Sequence, residues 1–189
     1  MEKKRCSWPG SDVKMQKYHD EEWGTPCHDD KLLFEYILLD MFQAGLSWRT
    51  ILHKRKNFKK AFDNFNYKKI AKYGVRERNR LMKDAGIIRN RLKIRSSITN
   101  AQIFMEIQKE FGSFDKYVWG FVEGKTKVNK HKKMSELRAT SPESDALSKD
   151  LKKRGMKFVG STIMYAYMQA AGLVNDHMIK CFRHKEVQK

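Results

Sequence analysis

His177 and Cys181 stand four residues apart in the segment NDHMIKC, residues 175–181. On a helix that spacing puts both side chains on one face, where they can share a metal ion. A closed tetrahedral site needs two more soft ligands. Cys6 and His19 offer them near the other end of the chain, and a two-cysteine, two-histidine set of this kind would tie the chain ends together. Cys27 and His28 lie close to the first pair as rival ligands, and spacing alone does not choose between them. Four protein ligands leave no open position for water, so such an ion would be structural.

A second group of residues suits recognition of a planar cation. LLDMFQAGLSW carries Asp40, Gln43, Gly45, Leu46 and Trp48, and YHDEEWG carries Tyr18, Asp20, Glu21, Glu22 and Trp23. Stacking and cation–π attraction hold such a ring while a carboxylate accepts its N–H groups. Asp40 follows an apolar run on a predicted helix, where an unpaired carboxylate is costly, so a functional role is expected of it.

The third group is suited to phosphate. LKKRGMKFVGSTIMYAYMQAAG reads as helix, Gly155, four residues, Gly160, helix. Two glycines bounding a short loop permit positive φ and close approach of the backbone to a ligand. The second helix then offers free amides and the positive end of its dipole at Ser161 and Thr162. Lys152, Lys153, Arg154 and Lys157 would assist. This is the logic of a helix–hairpin–helix, which grips backbone without reading sequence.

The elements that must position these groups read as helices almost throughout. Residues 29–45 open on aspartates and close at Gly45, with Leu33, Tyr36, Ile37 and Asp40 at helical spacing. Residues 47–62 restart with Ser47 as cap, and residues 90–112 form a long helix closing at Gly112. Pro142 suits a first helical turn, and that helix stops at Gly155; the next follows Gly160 and stops at Gly172. FVEGKTKVNK, residues 121–130, reads as a turn or extended segment. An all-α chain acting as one unit over residues 1–189 is expected.

The charge narrows the partner. Lys plus Arg exceed Asp plus Glu by 40 − 22 = 18 in 189 residues, which favours a polyanion such as double-stranded DNA. No stretch reaches the roughly 20 apolar residues of a membrane span. The start, MEKKRCSWPG, does not read as a signal peptide. Three cysteines make a poor disulfide framework, so reduced thiols or metal ligation in a cytoplasmic protein are expected.

YHDEEWG, QAGLSWRTIL, DAGIIRNRLKI, SDALSKDLKKRGMKFVG and MQAAGLVNDH, in this order, resemble the successive signatures of the 3-methyladenine DNA glycosylase I family and cover almost all of residues 6–181. The resemblance implies an all-α fold of the helix–hairpin–helix glycosylase superfamily, with a structural zinc on Cys6, His19, His177 and Cys181. It implies hydrolysis of the N-glycosidic bond of flipped 3-methyladenine in alkylated DNA. Tyr18, Trp23, Asp40 and Trp48 would line the base pocket, with Asp40 as the group serving catalysis. Gly45 and Leu46 would approach the gap left in the duplex, and Lys157, Gly160, Ser161 and Thr162 would hold its backbone.

Asp176 is the nearest candidate by chain order for the water-activating Asp of the wider superfamily, although the resemblance implies that this family does without one. No lysine stands out as a Schiff-base nucleophile, so a monofunctional enzyme without strand cleavage is expected, for which a monomer suffices. One departure stands out: the best-known relatives have Glu at the pocket carboxylate, where this chain has Asp40. The charge sits one methylene further back, and Met41 and Phe42 beside it are candidates to reshape the pocket. Composition does not separate this reading from a glycosylase for another N-alkylpurine, or from a non-catalytic zinc-containing DNA-binding protein.

Overall fold

A computed structural model describes residues 3–188. In chain order the elements are α1 (Val13–Glu21), α2 (Asp30–Gln43), α3 (Trp48–Ala61), a 3-10 turn (Asp63–Phe65), α4 (Tyr67–Ile70) and α5 (Val75–Lys83). There follow α6 (Arg91–Phe111), α7 (Phe114–Gly120), β1 (Lys127–Val128) and a second 3-10 turn (Met134–Glu136). α8 (Pro142–Lys153), α9 (Ser161–Ala170), β2 (Val174–Asn175) and α10 (Phe182–Glu186) complete the described chain.

The predicted boundaries hold because the capping residues act as expected. Asp29 accepts from the Leu32 amide at 2.7 Å to open α2, and Ser47 accepts from the Thr50 amide at 3.2 Å to open α3. Gly112 closes α6 in the left-handed region at φ 86°, and Pro142 stands in the first turn of α8 behind Ser141. These caps satisfy amides and carbonyls that a helix end otherwise leaves orphaned.

α2 is apolar nearly all round. Leu33, Phe34, Tyr36, Ile37, Leu38, Leu39, Met41 and Phe42 are all buried, as expected of a helix at the centre of a core. α3, α6, α7 and α9 pack against it. A second, smaller cluster joins Cys6, Met15, Tyr18, Trp23 and Leu52 to Met178 and Cys181, so the two ends of the chain share apolar packing.

Two details depart from an all-α reading. β1 falls within the segment expected to be extended, and it pairs in parallel with β2, Lys127 opposite Val174 and Val128 opposite Asn175. β2 was not expected, because two residues are too short to show any alternation. Secondly, His177 and Cys181 do not ride on a helix: they occupy an irregular turn, with Cys181 as the N-cap of α10.

Gly172, after α9, has φ +72° and lies against the N-terminal segment so closely that an added Cβ would sit 2.3 Å from the Thr25 carbonyl carbon. The Cys27 amide donates to the Ala171 carbonyl at 3.0 Å alongside it. Only glycine permits that approach with that backbone angle. The contact brings the end of α9 beside the segment that carries Trp23.

Candidate active site

A cavity of about 200 Å³ opens between α1, α2, α3 and α9, with Trp8, Tyr18, Trp23, Asp40, Gln43, Trp48 and Gln169 in its wall. The four residues expected to line a base pocket therefore do meet. Tyr18 and Trp48 approach with ring centroids 5.1 Å apart and planes at 47°. Trp8 meets Trp23 edge to face, also at 5.1 Å. Sequence reasoning missed Trp8, although its place two residues after Cys6 was a usable signal.

Asp40 is 2 % exposed and its Oδ2 has no hydrogen-bond partner among the described residues. Burial pushes its carboxyl well above the usual carboxylate range, and the charge of Arg55 opposes this only in part. Arg55 is itself engaged, donating to Glu22 at 2.7 Å and to Glu35 at 2.6 Å. The other acids of YHDEEWG are also committed: Asp20 accepts from Arg5 at 2.9 Å, and Glu21 pairs with Lys17 on the surface at 3.8 Å. Asp40 is thus the acid that the cavity wall retains. The indole N–H groups of Trp8 and Trp48 are likewise buried without partners among the described residues. A donor-and-acceptor set left unmade in an aromatic cavity is costly unless a ligand completes it. Met41 and Phe42, expected as possible modifiers of the pocket, turn the other way into the core, where Phe42 packs on Phe58 at 4.8 Å.

The turn after α2 is set by its backbone. The Leu46 amide donates to the Gln43 carbonyl at 2.6 Å, while Ala44 has φ −46°, ψ 115° and Gly45 has φ +78°. These angles make a type II turn, which needs glycine at its third position. Leu46 stands at the end of the turn, 41 % exposed. Lys93 of α6 is buried and donates to the carbonyls of Phe42 and Ala44 at 2.8 and 2.6 Å, replacing the amides that the end of α2 lacks.

α8 and α9 pack as a hairpin. Gly155 has φ +100°, as its place in the loop predicts; the second positive φ falls on Phe158 at 58°, whereas Gly160 is extended at φ −61°, ψ 155°. Open space surrounds Gly160, so the first amides of α9 remain approachable. Thr162 and Lys157 are exposed beside them. The Ser161 hydroxyl donates to Asp145 and lies 2.9 Å from the Ser144 hydroxyl, so the backbone is what Ser161 offers outward. Arg154 is bound to Asp150 and Glu110, each at 2.6 Å, and is not free for a phosphate. Asn100 of α6 grips the loop by donating to the Lys157 carbonyl and accepting from its amide, both at 2.9 Å.

Cys6, His19, His177 and Cys181 converge, their ligand atoms all within 4.8 Å of one another and all four residues buried. His19 reaches inward with Nε2, 3.5 Å from the Cys181 sulfur, while its Nδ1 bonds Asp20 at 2.8 Å. His177 reaches inward with Nδ1, 3.6 Å from the same sulfur, while its Nε2 bonds the Trp23 carbonyl at 2.9 Å. Outer hydrogen bonds of this kind orient imidazoles for a metal. Hydrogen bonding from the Cys6 thiol, against the effect of burial, holds the Cys181 thiol far below the usual cysteine value. Cys27 lies in the main core and His28 bonds Asp115 at 2.7 Å, so neither rival joins the set. The four donors could hold one tetrahedral ion.

The chain matches the family model described as methyladenine glycosylase over residues 8–184. It is 47 % identical over 177 residues to DNA-3-methyladenine glycosylase 1 of Escherichia coli (strain K12), covering 94 % of this chain and 95 % of that protein. A crystal structure of 3-methyladenine DNA glycosylase I superposes with a TM-score of 0.92 at 45 % identity, covering 95 % of this chain and 98 % of the other. A variant of 3-methyladenine DNA glycosylase I solved in complex with 3-methyladenine gives a TM-score of 0.92 at 33 % identity, covering 98 % and 97 %. This chain belongs to the methyladenine glycosylase family of enzymes.

Proposed function

We propose that this protein releases 3-methyladenine from alkylated duplex DNA by hydrolysing the N-glycosidic bond of an extruded base, as the first step of base-excision repair. The observation that carries the reading is Asp40, a buried carboxyl with an unpartnered oxygen in an aromatic cavity. A base methylated at N3 already carries positive charge, so its departure needs little acid catalysis. What the site must do is hold that charge and exclude neutral adenine. Tyr18, Trp23 and Trp48 stack on the ring, and Asp40 accepts from it and balances its charge as the cation enters. The preference is electrostatic: a neutral base does not draw the Asp40 proton away.

Leu46 fills the gap that the extruded base leaves, with Gly45 allowing the turn to approach the duplex. Lys157, Gly160, Ser161 and Thr162 take a backbone phosphate through exposed charge and free amides. Zinc is held by Cys6, His19, His177 and Cys181 as a structural ion, since these four donors leave no place for a reacting water. The ion supplies rigidity: Trp8 follows Cys6 by two residues, and Tyr18 precedes His19. Asp176 is not assigned to water activation, because it is buried and both of its oxygens accept hydrogen bonds. No lysine is assigned as a nucleophile; Lys93, whose pKa burial lowers, spends its donors on two carbonyls. The reaction therefore ends at an abasic site with the strand intact.

The test is free-base release from methylated duplex DNA, with 3-methyladenine and 7-methylguanine separated. Release of 3-methyladenine with an unbroken strand is expected. Release of another alkylpurine instead would shift the substrate and implicate the shorter Asp40. Binding of DNA and zinc with no base released would leave a DNA-binding protein without catalysis.

A further inference from the structure

One carboxyl lies behind the cavity wall and reaches the cavity through a single side chain. Asp176 is fully buried. Its Oδ1 accepts from Asn129 Nδ2 at 2.6 Å and from His131 Nε2 at 3.0 Å. Its Oδ2 accepts from the Tyr165 hydroxyl at 2.8 Å and from Gln169 Nε2 at 2.7 Å. Gln169 in turn lines the cavity, with Ala166 one turn earlier on the same face of α9.

An amide presents a donor at one end and an acceptor at the other. With the Gln169 NH2 on Asp176 Oδ2, turning the amide over would set its oxygen against a carboxyl oxygen, which repels it, and would leave that oxygen only the Tyr165 hydroxyl as donor. The orientation is therefore fixed, and Oε1 is the atom left for the cavity. Among the described residues it takes no hydrogen bond. Asp40 behaves differently, because a carboxyl that burial inclines toward protonation can either donate or accept. Asp40 alone thus discriminates poorly between an amino group and a carbonyl on a purine. Gln169 can only accept.

We propose that Gln169 is a specificity-determining residue that accepts a hydrogen bond from the exocyclic amino group of the bound base, with Asp176 as the residue that positions it. This rests on the proposed function and names what reads the amino edge. A 3-methyladenine ring offers N–H there, whereas 3-methylguanine offers an oxygen, which the amide oxygen repels.

The experiment measures binding of the two free bases by quenching of the pocket tryptophans, in wild type, Gln169→Met and Asp176→Asn. Wild type should favour 3-methyladenine over 3-methylguanine. Gln169→Met, of nearly the same length, should weaken 3-methyladenine about 10-fold and leave 3-methylguanine unchanged or tighter, so that the ratio collapses. Asp176→Asn should narrow the ratio in the same direction, because Asn can receive either face of the amide. Equal losses for both bases, or an unchanged ratio in Gln169→Met, would overturn the inference. Zinc content and Tm of Gln169→Met verify the fold, so this variant decides the matter even if Asp176→Asn does not fold. Failure of wild type to bind 3-methyladenine would instead sink the proposed function, and the inference with it.

Discussion

Lys93 and Asn100 stand two turns apart on one face of α6, and each holds the backbone of a different loop. Lys93 binds the carbonyls of Phe42 and Ala44 before the Leu46 turn, and Asn100 binds the amide and carbonyl of Lys157 in the hairpin. Seven residues at 1.5 Å each set about 10.5 Å along the helix axis between the two anchors. The turn proposed to enter the duplex and the loop proposed to grip its backbone are therefore spaced by one rigid rod.

Lys93→Met should destabilise the protein by about 1–3 kcal/mol, because two carbonyls lose a charged donor. Base release from duplex DNA should fall further than binding of free 3-methyladenine, since the cavity itself is untouched. Thermal unfolding, duplex kinetics and free-base titration measured together check this; parallel losses in all three would contradict it.

Asp40→Asn should abolish most base release yet protect the empty protein against heat at neutral pH. The sign follows from the raised carboxyl pKa. A raised folded-state pKa contributes stability that is complete below the unfolded value of 3.8 and is lost as pH rises. The Tm advantage of the variant should therefore grow from pH 4 toward pH 8. An advantage that stays flat over that range would show that Asp40 ionises as freely folded as unfolded, and one that shrinks would reverse the sign of its shift.

Cys181→Ser should lower bound zinc from the proposed one ion per chain toward none and reduce Tm by several degrees. Affinity for free 3-methyladenine should fall as well, because Tyr18 and Trp8 adjoin ligands of the cluster. Metal analysis beside base titration provides the check; intact base affinity without metal would separate the cluster from the pocket.

Leu46→Gly should leave unfolding stability within about 0.5 kcal/mol of wild type, as expected for an exposed side chain. Release from duplex DNA should nevertheless drop at least 10-fold, while free-base binding stays unchanged. Equal activity of the variant on duplex DNA would remove Leu46 from the extrusion step.

Much of this was legible in the sequence because it depended on local chemistry. Asp29, Ser47, Gly112 and Pro142 act at the helix ends through their own side chains or backbone preferences, so their effect is visible within four residues. Tyr18, Trp23, Asp40 and Trp48 could be grouped because the segments that carry them resemble family signatures; chemistry alone singled out only Asp40, as a carboxylate on an apolar helix. The anchors were not legible. Lys93 reads as one of many basic residues and Asn100 as a helix polar, and their partners lie 49–51 and 57 positions away. Gln169 was hidden for the same reason: its orientation depends on Asp176, which depends on three further donors. Arg154 looked free for phosphate and is not, since its carboxylate partner Glu110 is 44 residues distant.

The convergence of Cys6 with His177, 171 positions apart, has a consequence for the order in which the molecule is made. At about 5–20 residues per second, a ribosome delivers the second half of the cluster roughly 10–35 s after the first. Until then Trp8 and Tyr18 pack only on early neighbours such as Trp23 and Trp48, and the wall of the cavity lacks the support of Met178 and Cys181. A truncated or half-synthesised chain is thereby denied a working site, however much of α2 through α9 has already folded. The arrival of His177 and Cys181 is therefore the step of synthesis that closes the cavity wall.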